Sequence, residues 1–299
     1  MPDRPKRPPV PLAAASLASE AIREFEINGF ALVPRLLSAD EIAHYGDAVD
    51  RAVADRTRSD PRPLTQKTRY EQSFQQCLNL WEDHDDVRPL SFHPRIGEAA
   101  ARLLGAHAVR IWHDQALYKE PGGRVTDPHQ DQPYWPIREP RTVTAWIPFQ
   151  DVHRGNGAMG YLSGSHISGL RKFSNIFSGT GFDVDQLPEV RDLETRFVDV
   201  PAGTVAFHHG LTVHRALPND GERTRRVHTV IFFADGCTRT EQRHPSVDRP
   251  SIAVGAKIES DLTPIAWPRN GDLPAPPPLP NPPIPGWAGW RREDSGTKP

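Results

Sequence analysis

The sequence changes its pattern once, near residue 105, and no other feature constrains the fold more. Before that point, three segments have helical periodicity: residues 17–27, the segment that follows Ser38, and the segment that ends near Gly105. After it come short β-branched and aromatic runs separated by Gly, Pro and Asn. These runs are "AVRIWHDQALYKE", "RTVTAWIPFQDV", "TRFVDV", "GTVAFHHG" and "RRVHTVIFFAD". Helices followed by many such strands predict an α+β protein, with a barrel or jelly roll and the helices on one side.

Local signals fix several of the predicted boundaries. Ser38 is suited to be the N-cap of the second helix, and Glu41, three residues later, completes a capping box. Asn28 and Gly29 are a good stop for the first helix, and a short strand is predicted at residues 30–33.

The chain has 32 prolines, and they concentrate at its two ends. Residues 1–16 are therefore predicted to be a flexible Pro-rich arm rather than a signal peptide, because the short apolar part is interrupted by Pro11. Residues 17–262 are expected to form a single domain. Residues 263–299 are predicted to be a Pro-rich tail with extended polyproline conformation, either lying on the body as a surface strap or disordered. Within the domain, residues 167–195 have no clear period and are interpreted as a long loop or lid.

Charge and hydropathy exclude several classes of partner. The formal net charge is -2, which does not favour nucleic acid or an anionic membrane. No apolar run approaches the roughly 18 residues of a membrane span. Cys77 and Cys237 are too few for a disulfide framework, so a reduced, cytoplasmic location is expected. The oligomeric state is not indicated.

The stretch "TDPHQDQPYW" places His129 and Asp131 two positions apart. On a strand, alternate side chains point to the same face, so the imidazole and the carboxylate would project together. Both are suitable ligands for a divalent iron, and one more histidine would complete a facial triad with open positions. The alternative is chance: the chain has 13 histidines, and His84 with Asp86 fits the same spacing in a charged segment interpreted as a solvated loop.

A third ligand is expected on a later strand. The candidates are His208, His209, His214 and His228. The segment "VHRALPNDGERTRRVHTVIFF" also supplies arginines just after His214, and a turn at residues 218–221 would fold them back beside it. An arginine in that place suits the carboxylate of a 2-oxo acid cosubstrate, because guanidinium binds carboxylate in a bidentate manner.

Longer segments carry a more specific signal than the bare pair. They are "HDQALYKEPGG", "PHQDQPYWP", "TAWIPFQDVHRGNGAMGYLSGSH" and "GTVAFHHGLTVHRALPN". Together they resemble the phytanoyl-CoA dioxygenase family of Fe(II)/2-oxoglutarate oxygenases, over about residues 20–234. The resemblance implies a double-stranded β-helix, a cupin-like jelly roll.

The resemblance also implies roles for individual residues. It assigns the iron ligands to His129, Asp131 and His214. It places the arginine that holds 2-oxoglutarate eleven residues past the last of these, at Arg225. Further cosubstrate contacts are implied at Gln115, on the strand before the motif, and Trp146, on the strand after it. Arg226, the neighbour of Arg225, is expected on the opposite face of its strand.

The implied activity is hydroxylation or desaturation of an unactivated C–H bond of a small organic molecule. Iron, 2-oxoglutarate and O2 would be required, and succinate and CO2 would be released. Two alternatives stay open at this point. One is a non-catalytic small-molecule-binding protein on the same scaffold. The other is a zinc hydrolase with the same two histidines and aspartate.

Overall fold

A computed structural model of the chain describes residues 19–177 and 184–289. Its helices are α1 Ser19–Asn28, α2 Ala39–Thr57, α3 Leu80–Asp83, α4 Arg88–Ser91, α5 Pro94–Leu103 and α6 Pro245–Asp248. Its strands are β1 Phe30–Val33, β2 Gln75–Leu78, β3 Val109–Tyr118, β4 Thr126–His129, β5 Thr142–Pro148, β6 Met159–Leu162, β7 Thr195–Val198, β8 Val205–His209, β9 His214–Ala216, β10 Val227–Ala234 and β11 Ile265–Trp267.

The strands form two sheets. The larger has seven strands in the order β1-β8-β5-β10-β3-β11, with β2 also paired to β3. The smaller has four strands in the order β4-β9-β6-β7. All of the pairings between these strands are antiparallel. This arrangement of two antiparallel sheets agrees with the predicted α+β jelly roll.

Side-chain alternation assigns the two faces of the large sheet. On β5, Val143 and Ala145 belong to the core beneath the helices, whereas Thr144 and Trp146 face the interior cavity. The central strands therefore need both faces covered, which explains why every residue of β5 and β10 is buried. The face turned away from the helices carries polar side chains such as Thr144.

The N-terminal helices cover the outer face of the large sheet, as predicted. Phe25 of α1, Val49 of α2 and Ile96 of α5 share one apolar core with the sheet. The capping box is formed: the Ser38 hydroxyl accepts from the Glu41 backbone N–H at 3.2 Å, and the Glu41 carboxylate accepts from the Ser38 N–H at 2.8 Å. Strand β1 occupies the predicted residues.

The C-terminal segment is more integrated than a tail of polyproline conformation would be. Its first part forms β11, which pairs with β3 of the large sheet. Further on, Trp287 is only 5% exposed. Arg56 donates to the Trp287 carbonyl at 2.7 Å, and the Gly289 N–H donates to the Asp83 carboxylate at 2.7 Å. Residues 263–289 thus contribute a strand and a buried aromatic side chain, which proline content alone did not predict.

Some predictions fall on residues that the model does not describe. The arm at residues 1–16 and the last ten residues of the tail lie outside the described ranges, as do residues 178–183 of the predicted lid. The division into arm, domain and tail therefore stays a prediction. None of the helices in the described ranges is long and apolar enough to cross a membrane.

Candidate active site

Strand pairing brings the three predicted metal ligands together. His129, the last residue of β4, lies opposite His214, the first residue of β9. Asp131 follows β4 by two residues. One ligand atom from each of the three side chains lies within 4.8 Å of the others. Within residues 19–177 and 184–289, this is the one cluster of His, Cys, Asp or Glu side chains with the spacing of a metal site.

Backbone carbonyls orient both histidines. Nδ1 of His129 lies 2.8 Å from the Asp127 carbonyl, and Nδ1 of His214 lies 3.0 Å from the Thr212 carbonyl. Because a carbonyl only accepts, each Nδ1 carries the proton and each Nε2 keeps a lone pair. Burial lowers the pKa of both imidazoles to about 4, so both are neutral at pH 7. Neutral, oriented imidazoles are what a divalent metal requires.

Asp131 is held ionised. Burial raises the pKa of its carboxyl, but attraction to His214 and a hydrogen bond from His208 outweigh burial and leave it far below its usual value. Its Oδ2 accepts from the Thr144 hydroxyl at 2.8 Å and from Nε2 of His208 at 3.1 Å. Its Oδ1 lies 3.7 Å and 3.6 Å from Nε2 of the two candidate ligand histidines. One oxygen is thus fixed by the protein, and the other faces the ligand nitrogens.

His208 lies beside this group, although the residue pattern alone did not distinguish it from His209. It is 2% exposed, and its ring centroid lies 4.3 Å from that of His214. Because its Nε2 donates to Asp131, that nitrogen cannot also ligate a metal. The signal that could have distinguished the two residues is alternation along β8, where Ala206 and His208 face inwards and Phe207 faces the helices.

His209 is turned away from this group and makes hydrogen bonds that need a neutral ring. Its Nε2 donates to the Pro140 carbonyl at 2.9 Å, and its Nδ1 accepts from the Leu211 N–H at 3.0 Å. Burial lowers the pKa of His209 to about 4. The unfolded chain, with an ordinary histidine pKa near 6.5, therefore binds more protons than the folded one between about pH 6.5 and 4.

The free energy of unfolding of the metal-free protein is accordingly expected to fall as pH is lowered from 6.5 to 4. His209 should contribute on the order of 1 kcal/mol of this loss at pH 5. In His209→Gln the amide can make both hydrogen bonds without titrating, so the variant should lose less stability between pH 7 and 5. Urea unfolding at the two pH values measures the difference. Equal losses in variant and parent would contradict the assignment.

Arg225 is a buried cation without a carboxylate partner among the described residues. It is 2% exposed, and Nη1 donates to the Gly157 carbonyl at 2.7 Å. Its guanidinium lies 5.4 Å from the ring centroid of Trp146, and its Nε has no partner in the described part of the chain. Burial lowers the pKa of Arg225 only to about 10, so it stays charged. Burial of a guanidinium without a carboxylate partner is costly, and a bound anion would offset this cost.

Lys119 shares this region and was not anticipated. It is fully buried, its backbone is bridged to that of Arg225, and its Nζ donates to the Arg124 carbonyl. Burial, with repulsion from Arg225 and Arg124, lowers the pKa of Lys119 to about 6. An incoming carboxylate would relieve this repulsion. Gly157 has φ +94°, and a Cβ there would lie 3.1 Å from the Lys119 side chain and 3.4 Å from Arg225.

The other two predicted cosubstrate contacts, Gln115 and Trp146, line the same cavity as the candidate ligands and Arg225. The side-chain oxygen of Gln115 accepts a hydrogen bond from the Gln76 amide. Arg226 points to the opposite face and pairs with Asp50 of α2 at 2.5 Å. The structure thus brings the six predicted site residues to one cavity and excludes Arg226 from it.

The cavity has a volume of about 330 Å³ and a largely apolar lining. Ile176 and Phe177, from the loop predicted as a lid, form part of its wall. The Tyr134 hydroxyl donates to the Ser174 carbonyl of the same loop. The large aromatic residues that line the cavity are Tyr70, Phe74, Tyr134, Trp135, Trp146, Phe177 and Trp287. Ile176 and Phe177 therefore border the cavity, and the role of the loop as a lid stays a prediction.

With this geometry established, comparison with known proteins identifies the family. The family model for phytanoyl-CoA dioxygenase (PhyH) matches residues 25–227. This chain belongs to the phytanoyl-CoA dioxygenase family. A mouse relative, phytanoyl-CoA dioxygenase domain-containing protein 1, is 26% identical over 267 residues, which cover 72% of this chain and 90% of the relative.

Solved structures agree with the family assignment. SnoK, a non-heme α-ketoglutarate dependent carbocyclase from nogalamycin biosynthesis, superposes with a TM-score of 0.72 at 28% identity. The match covers 86% of this chain and 99% of SnoK. The epimerase SnoN, solved with Fe3+, α-ketoglutarate and nogalamycin RO, has a TM-score of 0.67 at 21% identity, covering 83% of this chain and 98% of SnoN. The latter likeness bears on the fold alone.

The predicted class of enzyme, an iron- and 2-oxoglutarate-dependent oxygenase of the PhyH family, is confirmed by these comparisons and by the cluster that fits an iron site. The two alternatives, a non-catalytic binding protein and a zinc hydrolase, find no support in them. The two histidines and one carboxylate suit divalent iron. The buried, unpaired Arg225 suits a cosubstrate with a second carboxylate.

Proposed function

We propose that this member of the PhyH family uses Fe(II), 2-oxoglutarate and O2 to hydroxylate or desaturate a C–H bond of a small organic molecule. Its iron ligands would be His129, Asp131 and His214, and Arg225 would anchor the cosubstrate. The observation that carries this proposal is a single cavity that holds both the three-residue cluster and an unpaired buried guanidinium. Gln115 and Trp146 would border the cosubstrate.

Iron and 2-oxoglutarate, when bound, supply the oxidising chemistry, with succinate and CO2 as by-products. The protein's own part is to place groups and exclude water. Nε2 of His129 and His214 and one oxygen of Asp131 offer three ligands on one side. The Arg225 side chain, stacked over Trp146, offers a charge-assisted pair of N–H donors to a carboxylate in a dry environment. Aromatic side chains and the Ile176–Phe177 loop limit the access of water.

The cavity itself restricts the substrate. A volume of about 330 Å³ lies at the lower end of the range for small-molecule sites and also has to hold the cosubstrate. Besides Arg225, the cation that lines it is Arg215, which is paired with Asp185 at 2.5 Å. Among the described residues that line the cavity, this leaves no basic cluster for the phosphates of an acyl-CoA. The proposed substrate is therefore a compact molecule.

Anaerobic addition of 2-oxoglutarate to the Fe(II)-loaded protein tests the proposal. A visible metal-to-ligand absorption band should develop and saturate at one equivalent. Uncoupled release of succinate in air should follow the same iron dependence. Once a substrate is found, mass spectrometry should show the gain of one oxygen or the loss of two hydrogens. A folded, iron-loaded protein that gives no band would overturn the proposal.

His208 provides a further prediction, as a positioning residue for Asp131. Removing its hydrogen bond in His208→Ala should lower Fe(II) affinity roughly tenfold to a hundredfold, the usual effect of losing a partner of a metal ligand. His208→Gln keeps an N–H donor and should recover most of the affinity. Competition with a chromophoric chelator measures this. Equal losses in the two variants would indicate a packing role instead.

Within this proposal, the cytoplasmic location and the absence of nucleic-acid and membrane partners stay predictions. The location is inferred from the presence of only two cysteines, and the partner predictions from the net charge of -2 and the sequence's lack of a long apolar run.

A further inference from the structure

Resting on the proposed function, we infer that His113, His244 and Trp287 form the recognition site for the substrate. The ligand they fit is a flat, uncharged ring system that carries hydroxyl or carbonyl oxygens. Two of the three residues come from the chain beyond residue 227, where the family match ends. The selectivity of this enzyme would therefore reside in its C-terminal part.

The three side chains lie together at one end of the cavity. All of them line it. The His244 ring centroid lies 5.7 Å from that of Trp287 and 4.8 Å from that of Trp112. His113 stands edge-on to Trp135 at 5.9 Å. A wall of indole and imidazole rings offers flat surfaces on which a planar ligand can stack.

Both imidazoles are neutral and retain hydrogen-bonding capacity. Nδ1 of His244 accepts from the Ser246 N–H at 3.2 Å, so its proton sits on Nε2, for which no acceptor is found in the described residues. Nδ1 of His113 is buried, and the ring contacts the Asp114 backbone. Its Nε2 makes no hydrogen bond within the described part of the chain, so this nitrogen is available to a ligand. Burial lowers the pKa of His113 to about 4 and that of His244 to about 3.

The charge around this wall disfavours a charged ligand. The nearby Arg239 is already paired with Asp248, and its Nη1 donates to the Val247 and Ile252 carbonyls. The described residues that line this end of the cavity therefore offer no unpaired cation for a carboxylate or phosphate. Sites built from neutral donors and acceptors discriminate strongly in favour of ligands that satisfy them, since an unmatched buried polar group is costly.

Trp287 is held in place by contacts that do not depend on a ligand. Arg56 donates to its carbonyl and also pairs with Asp83 at 2.7 Å, with both side chains nearly buried. The indole Nε1–H of Trp287 has no acceptor within the described part of the chain. The indole ring of Trp287 is therefore a fixed surface in the cavity wall on which a flat ligand can stack.

Three commercially available probes test the inference by calorimetry with the anaerobic Fe(II)·2-oxoglutarate protein. 2,6-Dihydroxynaphthalene is flat, neutral and oxygenated. Naphthalene-2,6-dicarboxylate is equally flat but charged. Cyclohexane-1,4-dimethanol is neutral and oxygenated but not flat. The first should bind roughly tenfold or more tightly than either of the others. Equal affinities, or tighter binding of the dicarboxylate, would overturn the inference.

Variants locate the binding within the cavity. Trp287→Ala and His113→Phe should each weaken the dihydroxynaphthalene roughly tenfold, the first by loss of stacking and the second by loss of a hydrogen-bonding nitrogen. Leu279→Ala is the matched control, because this half-exposed residue belongs to the same C-terminal segment but does not line the cavity. If the variants bind the probe as the parent does, the site is elsewhere.

The visible 2-oxoglutarate band, recorded on the same samples, separates two kinds of failure. A normal band in Trp287→Ala shows that the variant is folded and keeps the cosubstrate site, so lost probe binding is local. A normal band with unselective probe binding refutes this inference alone. Absence of the band in the parent refutes the proposed function itself.

Discussion

Replacing His214 with alanine is expected to remove nearly all Fe(II) binding. The remaining site would offer one imidazole and one carboxylate, and Nε2 of His208 is already engaged as a donor to Asp131 at 3.1 Å. Removal of a hydrogen-bond partner of a metal ligand lowers metal affinity by about tenfold to a hundredfold. Removal of the ligand itself should lower the affinity by more than about a hundredfold. Competition with a chromophoric chelator under anaerobic conditions measures the affinity.

His209→Gln is the control for this experiment. His209 lies in the same region of the chain but hydrogen-bonds to Pro140 and Leu211, away from the ligand cluster. The His209→Gln variant should bind iron as the parent does. If His214→Ala keeps its affinity for Fe(II) while His208→Ala loses all of it, the third ligand is His208 and not His214.

Replacing Arg225 with alanine is expected to weaken 2-oxoglutarate by at least tenfold and up to more than a hundredfold. A hydrogen bond to a charged group is worth about 1.5–3 kcal/mol, and Arg225 can donate two of them from a buried position. Arg225→Lys keeps the charge without the planar fork, so its affinity should lie between alanine and the parent. Titration of the visible band gives each affinity.

The neighbouring Arg226→Ala serves as the matched control. Arg226 is paired with Asp50 on the helix side of the sheet, so its loss should leave 2-oxoglutarate binding unchanged. Fe(II) affinity should be equal in all of these variants, because Arg225 does not belong to the ligand cluster. Equal 2-oxoglutarate affinity in Arg225→Ala and the parent would remove the cosubstrate assignment.

The features that could be predicted from the sequence depend on residues that are close together in it. The central strands have β-branched and aromatic runs, and the capping box at Ser38 lies within four residues, so both could be predicted from local sequence. The positions of His129, Asp131 and Arg225 also followed, through the family resemblance. Each of these depends on short spacing or on a motif.

The features that were missed depend on contacts between distant parts of the chain. His208 differs from His209 by the face of β8 on which it lies, and which face turns to the cavity is decided by the helices that pack on the other face. Lys119 acquires its unusual environment from the bridge to Arg225, over a hundred residues away in sequence. Trp287 follows a Pro-rich stretch without periodicity, and its place in the cavity wall depends on anchoring by Arg56.

The proposed iron and cosubstrate sites can be observed together in a crystal structure of the anaerobic protein with Fe(II) and 2-oxoglutarate. We expect one iron, located by anomalous scattering and bonded to Nε2 of His129, Nε2 of His214 and one carboxylate oxygen of Asp131. The far carboxylate of 2-oxoglutarate should lie in hydrogen-bond contact with Arg225. Iron bound through His208 would contradict the assignment of the ligands. A cosubstrate carboxylate that lies away from Arg225 would contradict the assignment of the anchor.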